Sequence, residues 1–228
     1  MPAPLSIVIP TLNSADRLGE TADALLTGVT SGLVREVVIS DGGSSDATGK
    51  VAKELGAIFV EGPTGGGGQI ARGVAAASAP WLLILHDDTH LSPDWAEASR
   101  KHISASPDLA GVFRLRFRAS GLAPRIVEAG ANLRTKLLGL PYGDQGLLVS
   151  RKLLDEVGGV PDVPLMEDVV LARALKGRIR ALEATANTSA SRYETDGWVR
   201  RVFRNLGILF RFQVLRHSPE KLKADYEK

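Results

Sequence analysis

Cysteine is absent from the 228-residue chain. That excludes disulfides and thiolate metal sites, and it suits a reducing compartment. Neither sign of charge dominates: 28 Lys and Arg face 26 Asp and Glu, for a net charge of +2. The pI near 9.0 therefore overstates the basicity, and a nucleic-acid-binding composition is excluded. No apolar run approaches the roughly 20 residues needed to span a bilayer. No basic leader or cleavage site surrounds the strand-like Leu5–Pro10, so no secretory signal is expected. A cytoplasmic location is expected, with at most a peripheral hold on the inner face of a membrane.

What is present fits one domain of ordinary size, with 44% hydrophobic and 24% charged residues. Short apolar runs at Ser6–Ile9, Glu36–Ser40, Ala57–Val60 and Trp81–Leu85 alternate with helical patterns near Ala15–Leu26, Asp46–Leu55, Gln69–Ala77 and Pro93–Ala105. This β-α-β-α succession predicts an α/β fold with a mostly parallel central sheet covered by helices. Ser45 and Ser92 are placed to cap the second and fourth helices. Further on, Val112–Arg118 alternates Phe and Leu with Arg, the period of a strand with one wet face. A helix near Pro124–Leu138, a strand at Leu147–Ser150, helices from Arg151 and over Met166–Lys176, and a strand at Ile179–Leu182 complete the pattern. The reading is a single domain over 1–228. Residues 1–105 form a ligand-binding half, 106–195 a second, less regular half, and 196–228 an amphipathic helical segment.

Each early strand ends in polar groups: Thr11 and Asn13, then Asp41-Gly-Gly-Ser-Ser-Asp46, then His86-Asp87-Asp88. In a parallel sheet these ends share one edge, where open α/β sheets bind ligands. Turns and helix capping account for any one of them alone, and capping is the favoured role of Asp46. Asp87 and Asp88 follow an apolar strand and offer a seat for a hard cation with its phosphates. If the chain stays extended there, His86 and Asp88 point to one side and Asp87 to the other. Glycines 66–68 with Gln69 satisfy a dinucleotide-type pattern, and four consecutive glycines match such patterns easily. They are either a loop that lets backbone approach a phosphate, with Arg72 one turn on, or a flexible surface loop. A nicotinamide oxidoreductase using Gly65–Gly68 is one alternative function, and a binding protein without turnover is another. Glu167 and Asp168 open a helix, where acidic residues favour the dipole; one of them is otherwise a general base.

Together, Ser-Ile-Val-Ile-Pro-Thr-Leu-Asn (6–13), Val-Val-Ile-Ser-Asp-Gly-Gly-Ser-Ser-Asp-Ala-Thr (37–48), His86–Thr89, Tyr-Gly-Asp-Gln-Gly (142–146) and Pro-Leu-Met-Glu-Asp (164–168) resemble family 2 glycosyltransferases. The likeness is to a bacterial subgroup, over about residues 5–200. It implies a GT-A fold and inverting transfer from a nucleotide-diphosphate sugar to an acceptor hydroxyl, assisted by a divalent cation, Mn2+ or Mg2+. By resemblance, Pro10, Thr11, Asn13 and Asp41 hold the nucleoside. Gly68, Gln69, Arg72, Asp87 and Asp88 serve the rest of the donor, and Asp88 binds the metal. Asp168 is the implied catalytic base; Tyr142, Asp144, Gln145 and Glu167 line the acceptor side. The chain departs from the pattern at His86, where the family has the first Asp of its D-x-D motif, and at Gly68, where the subgroup carries arginine. Arg192-Tyr193 and Gly197–Arg201 stand as an altered counterpart of the family's basic-aromatic motif. Trp198–His217 mixes Phe and Leu with Arg on more than one face. Packing on its own domain or in a homodimer is favoured for it, with a membrane surface or lipid-linked acceptor as the alternative.

Overall fold

The structure, a computed structural model, describes residues 2–213 together with Leu215 and Ser218. Arg216 and His217 of the C-terminal segment lie outside the described residues. The first half forms β1 (Leu5–Thr11), α1 (Leu18–Thr30), β2 (Val34–Asp41), α2 (Thr48–Glu54), β3 (Ile58–Glu61), α3 (Gly66–Ala76), β4 (Trp81–Ile84), a two-residue β5 (His90–Leu91) and α4 (Trp95–Ala105). The second half adds β6 (Ala110–Phe117), α5 (Leu122–Leu138), a 3-10 turn (Gly143–Gln145), β7 (Leu147–Ser150), α6 (Arg151–Glu156), α7 (Glu167–Ala174), β8 (Ile179–Thr188), α8 (Ser191–Asp196) and α9 (Trp198–Gln213).

All eight strands join one sheet in the order β3-β2-β1-β4-β7-β6-β8-β5. Four neighbouring pairs are parallel and three antiparallel, so the sheet is mixed with a parallel majority. The reversal at β7 matters for the site. Strands β1, β2, β4, β6 and β8 finish at one edge, and β7 begins there, which brings the 3-10 turn to the same place.

Side-chain alternation gives the sheet a core on each face. Ile7 and Ile9 of β1, with Leu83 and Leu85, pack against Leu18, Leu25 and Trp95 of α1 and α4. Val8 and Leu82 point the other way, onto Leu153 and Leu154 of α6 and Leu171 and Leu175 after the loop. β4 is therefore covered on both sides, as its unbroken apolar sequence requires. In β6, Phe113, Leu115 and Phe117 are buried while Arg114 and Arg116 are exposed, as the alternation predicts.

Several local expectations are corrected. Ser45 does not cap α2: its hydroxyl meets Asn13, and Asp46 accepts from the Thr48 amide at 2.9 Å instead. Ser92 does not cap α4 with its side chain, which bonds Asp94 and accepts from the Thr185 amide. The strand expected over Ile179–Leu182 runs on to Thr188. The chain also does not stay extended through His86–Asp88. β4 ends at Ile84, and a turn follows in which the Thr89 amide donates to the His86 carbonyl at 3.2 Å.

Candidate functional site

Two clusters form where the strands end. The first surrounds Asp41. Its Oδ1 accepts from the hydroxyls of Thr11 (2.9 Å) and Ser44 (2.6 Å), and its Oδ2 from the amides of Gly43 (2.9 Å) and Ser44 (2.6 Å). Burial alone would raise the Asp41 pKa, but these bonds from Ser44, Thr11 and Gly43 outweigh it and hold the carboxyl below its ordinary value. Asn13, in the left-handed region at φ 51°, accepts from the Ser45 amide at 2.9 Å, and its own amide donates to Ser44 Oγ at 2.8 Å. The β1 and β2 loops are thus laced into one rigid rim, with Pro10 paired to Ser40 beneath it.

Gln69 and Arg72 brace this rim from α3. The buried Gln69 amide donates to the carbonyls of Thr11 (2.8 Å) and Ser40 (3.2 Å), and its oxygen accepts from the Gly65 amide at 3.0 Å. Arg72 donates to the Asp41 carbonyl at 2.8 Å and lies over Gly62. The glycines are neither a flexible surface loop nor a bare anion seat. Gly66–Gly68 form the first turn of α3 beneath the segment before α7. The Gly67 amide donates to the Val163 carbonyl at 3.1 Å. A Cβ on Gly67 would strike the Pro161 carbonyl, one on Gly66 the Glu167 carboxylate, and one on Gly68 would touch Asp162. Protein already fills the face on which a dinucleotide pyrophosphate would sit, and that corrects the oxidoreductase reading.

The second cluster is a cleft of about 350 Å³, lined among others by His86, Asp87, Asp88, Tyr142, Asp144, Glu167 and Asp168. Asp87 faces the first cluster: its carboxylate bonds Ser14 Oγ and pairs with Arg17 at 2.8 Å. Asp88 meets only the hydroxyls of Thr89 and Thr188, both at 3.4 Å, while Arg118 holds its backbone carbonyl at 2.8 Å. Asp168 is fixed at both oxygens, by the Gly143 amide (2.9 Å) and the Val169 amide (2.7 Å). Met166, left-handed at φ 68°, turns the chain into α7 immediately before it. A non-glycine residue there costs on the order of 1 kcal/mol.

Five carboxylates line this cleft. Burial raises the Asp144 pKa; His86 and Arg134 pull it down and Asp168 and Asp88 push it up, leaving it at about 6. One Asp144 oxygen is buried without a hydrogen-bond partner. Burial, then the Asp168 charge, also raises Glu167, against its own backbone amide and His86. Concentrated negative charge in a low-dielectric cleft attracts a cation. No group of three His, Asp or Glu able to hold a metal alone occurs among the described residues. Asp88 nevertheless fits a cation that shares phosphate oxygens and water, because among the described residues its carboxylate forms no salt bridge.

Tyr142 also lines the cleft, with the Arg134 guanidinium 3.5 Å from its ring centre. Burial raises its pKa, helped by Asp168 and Asp144 and opposed by Arg134. Gln145 does not reach the cleft. It is 1% exposed, accepts from Thr135 Oγ1 at 2.6 Å and donates to the Phe113 carbonyl at 3.0 Å. The polar part of the remaining wall comes from Thr188, Ser189 and Ser191, which sequence reading passed over, and from Arg192, Tyr193, Arg201 and Asn205. Of these, Arg192, Tyr193 and Arg201 belong to the basic-aromatic stretch noted in the sequence.

A doubly covered sheet whose strand ends converge on an acidic cleft is the architecture of the GT-A fold. The sequence profile of Glycosyl transferase family 2 matches residues 6–151, and the chain belongs to that family. No curated protein matches it in sequence. Among solved structures it is similar to TarS 1–349 of S. aureus, with a TM-score of 0.64 at 16% identity, covering 92% of this chain and 65% of that one. It is also similar to glucosyl-3-phosphoglycerate synthase from Mycobacterium tuberculosis, solved with Mn2+, uridine-diphosphate and phosphoglyceric acid: TM-score 0.58, 20% identity, 89% of this chain and 76% of that one. The chain spans less than two thirds of the TarS chain. TarS 1–349 has also been solved with UDP, where the TM-score is 0.62 at 16% identity over 86% of this chain and 64% of that one.

Proposed function

We propose that the chain transfers a glycosyl unit, with inversion, from a nucleoside-diphosphate sugar to an acceptor hydroxyl. The observation that carries this reading is Asp168, a carboxylate pinned by two backbone amides in the same cleft as Asp88. The rim of Thr11, Asn13 and Asp41 receives the nucleoside, supported by Gln69 and Arg72 rather than touched by them. Asp88 holds the divalent cation, which when bound supplies positive charge to the diphosphate leaving group. Tyr142, Asp144 and Glu167 border the acceptor, while Gln145 fixes the turn that presents Tyr142 and Asp144.

Asp168 accepts the proton of the acceptor hydroxyl as that oxygen forms its bond to the anomeric carbon. The bond from that carbon to the diphosphate breaks, and its electron pair leaves with the nucleoside diphosphate. A single in-line displacement inverts the centre. The amides of Gly143 and Val169 keep the carboxylate aimed, so geometry is set before substrate arrives. Solved relatives of the fold carrying UDP and Mn2+ support this class of donor.

The test is release of nucleoside diphosphate across a panel of nucleotide sugars, with and without manganese. Asp168→Asn lowers turnover by about 10²- to 10⁴-fold while leaving the thermal shift from nucleoside diphosphate intact. Full activity in that variant overturns the base assignment. Donor binding without release for any sugar identifies a binding protein instead.

A further inference from the structure

Exposed apolar side chains are unevenly distributed over this molecule. Among the described residues, nine of the fifteen large ones lie on α5 and α9, two helices that touch each other beside the cleft. On α9, Val199, Phe203, Leu206 and Phe210 are each at least 50% exposed. At 3.6 residues per turn they fall within an arc of about 60°. Trp198, Arg201 and Ile208 lie on the opposite side, against the domain and the cleft. Leu122, Ile126, Leu133 and Leu137 make a matching stripe on α5, opposite its packed residues Pro124, Glu128, Ala131 and Thr135. The sequence places apolar residues on more than one face of α9, which favours packing on its own domain or on a second subunit. The structure buries one face and leaves a second apolar stripe open.

Charge on these helices is as uneven as polarity. Together α5 and α9 carry seven Lys and Arg and one acidic residue, Glu128, which is buried and paired with Arg125 at 2.7 Å. The chain as a whole is at only +2. We infer that the α5–α9 face is a docking surface for an anionic lipid bilayer. Its apolar stripes enter the boundary between headgroups and acyl chains, and Arg200 and Lys136 beside them meet lipid phosphates. A second copy fits less well, because a two-fold interface sets each cation-rich face against itself. No helix among the described residues is long and apolar enough to cross a membrane, so the contact is peripheral. This inference does not rest on the sugar-transfer reading, and its test needs no substrate.

The test is co-sedimentation of the whole chain with phosphatidylcholine vesicles, and with the same vesicles containing phosphatidylglycerol. Binding to the second set only, weakened by salt, is expected. Phe203→Ser with Phe210→Ser, and separately Ile126→Ser with Leu137→Ser, lower the bound fraction's partition constant at least roughly tenfold. All four positions are exposed, and unchanged melting temperatures verify folding. Arg200→Gln weakens binding without altering the apolar stripe. Failure of the wild type to bind either vesicle, or equal binding by the serine variants, overturns the inference. So does a wild-type dimer in sedimentation velocity that the serine variants dissolve, which assigns the face to a second copy.

Discussion

At Asp144 burial opposes ionisation, His86 and Arg134 favour it, and Asp168 and Asp88 oppose it again, with a pKa of about 6 as the result. An unfolded aspartate titrates near 4. Between about pH 4 and 6 the folded state therefore holds more protons than the unfolded one, and stability falls as pH rises through that window. Asp144→Asn removes this dependence. Denaturant unfolding of the ligand-free variant should show a gain over wild type at pH 7.5, at most on the order of 2–3 kcal/mol, that vanishes near pH 4. An equal gain at both pH values would assign the effect to packing. The residue scale is also where sequence reading reaches furthest and errs most instructively. Asp41, Asp88 and Asp168 each have a cheap explanation as a turn or a helix start, and only their combination with the other motifs marked them as site candidates. Gln69 and Gln145 were legible as important, but their work is to satisfy backbone carbonyls at Thr11, Ser40 and Phe113. Which carbonyls lie within reach is a tertiary fact that no local pattern encodes.

The first turn of α3 and the segment before α7 act as one element. Gly67 gives its amide to Val163, and a Cβ there meets the Pro161 carbonyl, which is backbone and cannot swing aside. Alanine would gain about 1 kcal/mol in helix propensity against an overpacking cost of about 1–3 kcal/mol. Gly67→Ala is thus expected to destabilise the fold in urea, and to lower nucleoside diphosphate release more than stability alone explains, because the displaced segment leads into α7, which carries Asp168. Activity that tracks only the folded fraction would refute the coupling. Elements with large β-branched or aliphatic runs, such as β1 and β4, were fully legible. The second half of β8 was not: its inward residues Ala184 and Ala186 are too small to mark a period. The six-residue α8 is polar and leaves no apolar trace. Thr188, Ser189 and Ser191, at the junction of those two elements, were missed in the site for the same reason.

For the whole molecule, ligand and fold share one equilibrium. A nucleoside diphosphate that binds only the folded chain raises stability by about 2.7 kcal/mol at a hundred times its dissociation constant. On the proposed reading that gain grows when manganese is added. Asp88→Asn should abolish the manganese-dependent part and keep the nucleotide-dependent part, as read by differential scanning fluorimetry. If manganese still adds to stabilisation in the variant, the cation sits elsewhere. The overall architecture was legible from the βαβ rhythm of the first half. The mixed sheet was not, because the direction of β7 depends on which neighbour it finds.

The short β5 draws a last consequence. His90 pairs with Asn187, whose side-chain amide also donates to the His90 carbonyl at 3.0 Å across a sequence separation of 97. Asp88 and Thr188 meet across a separation of 100. The rim around Asp41, by contrast, is closed by contacts about thirty residues apart. During synthesis the nucleoside rim can therefore form while the chain that walls the cleft is still being made. Long-range pairing of this kind is slow to form and exposes apolar strands until it does. A chain interrupted before β8 would therefore hold the rim without the Thr188 side of the cleft, and would leave the β6 edge of the sheet unpaired.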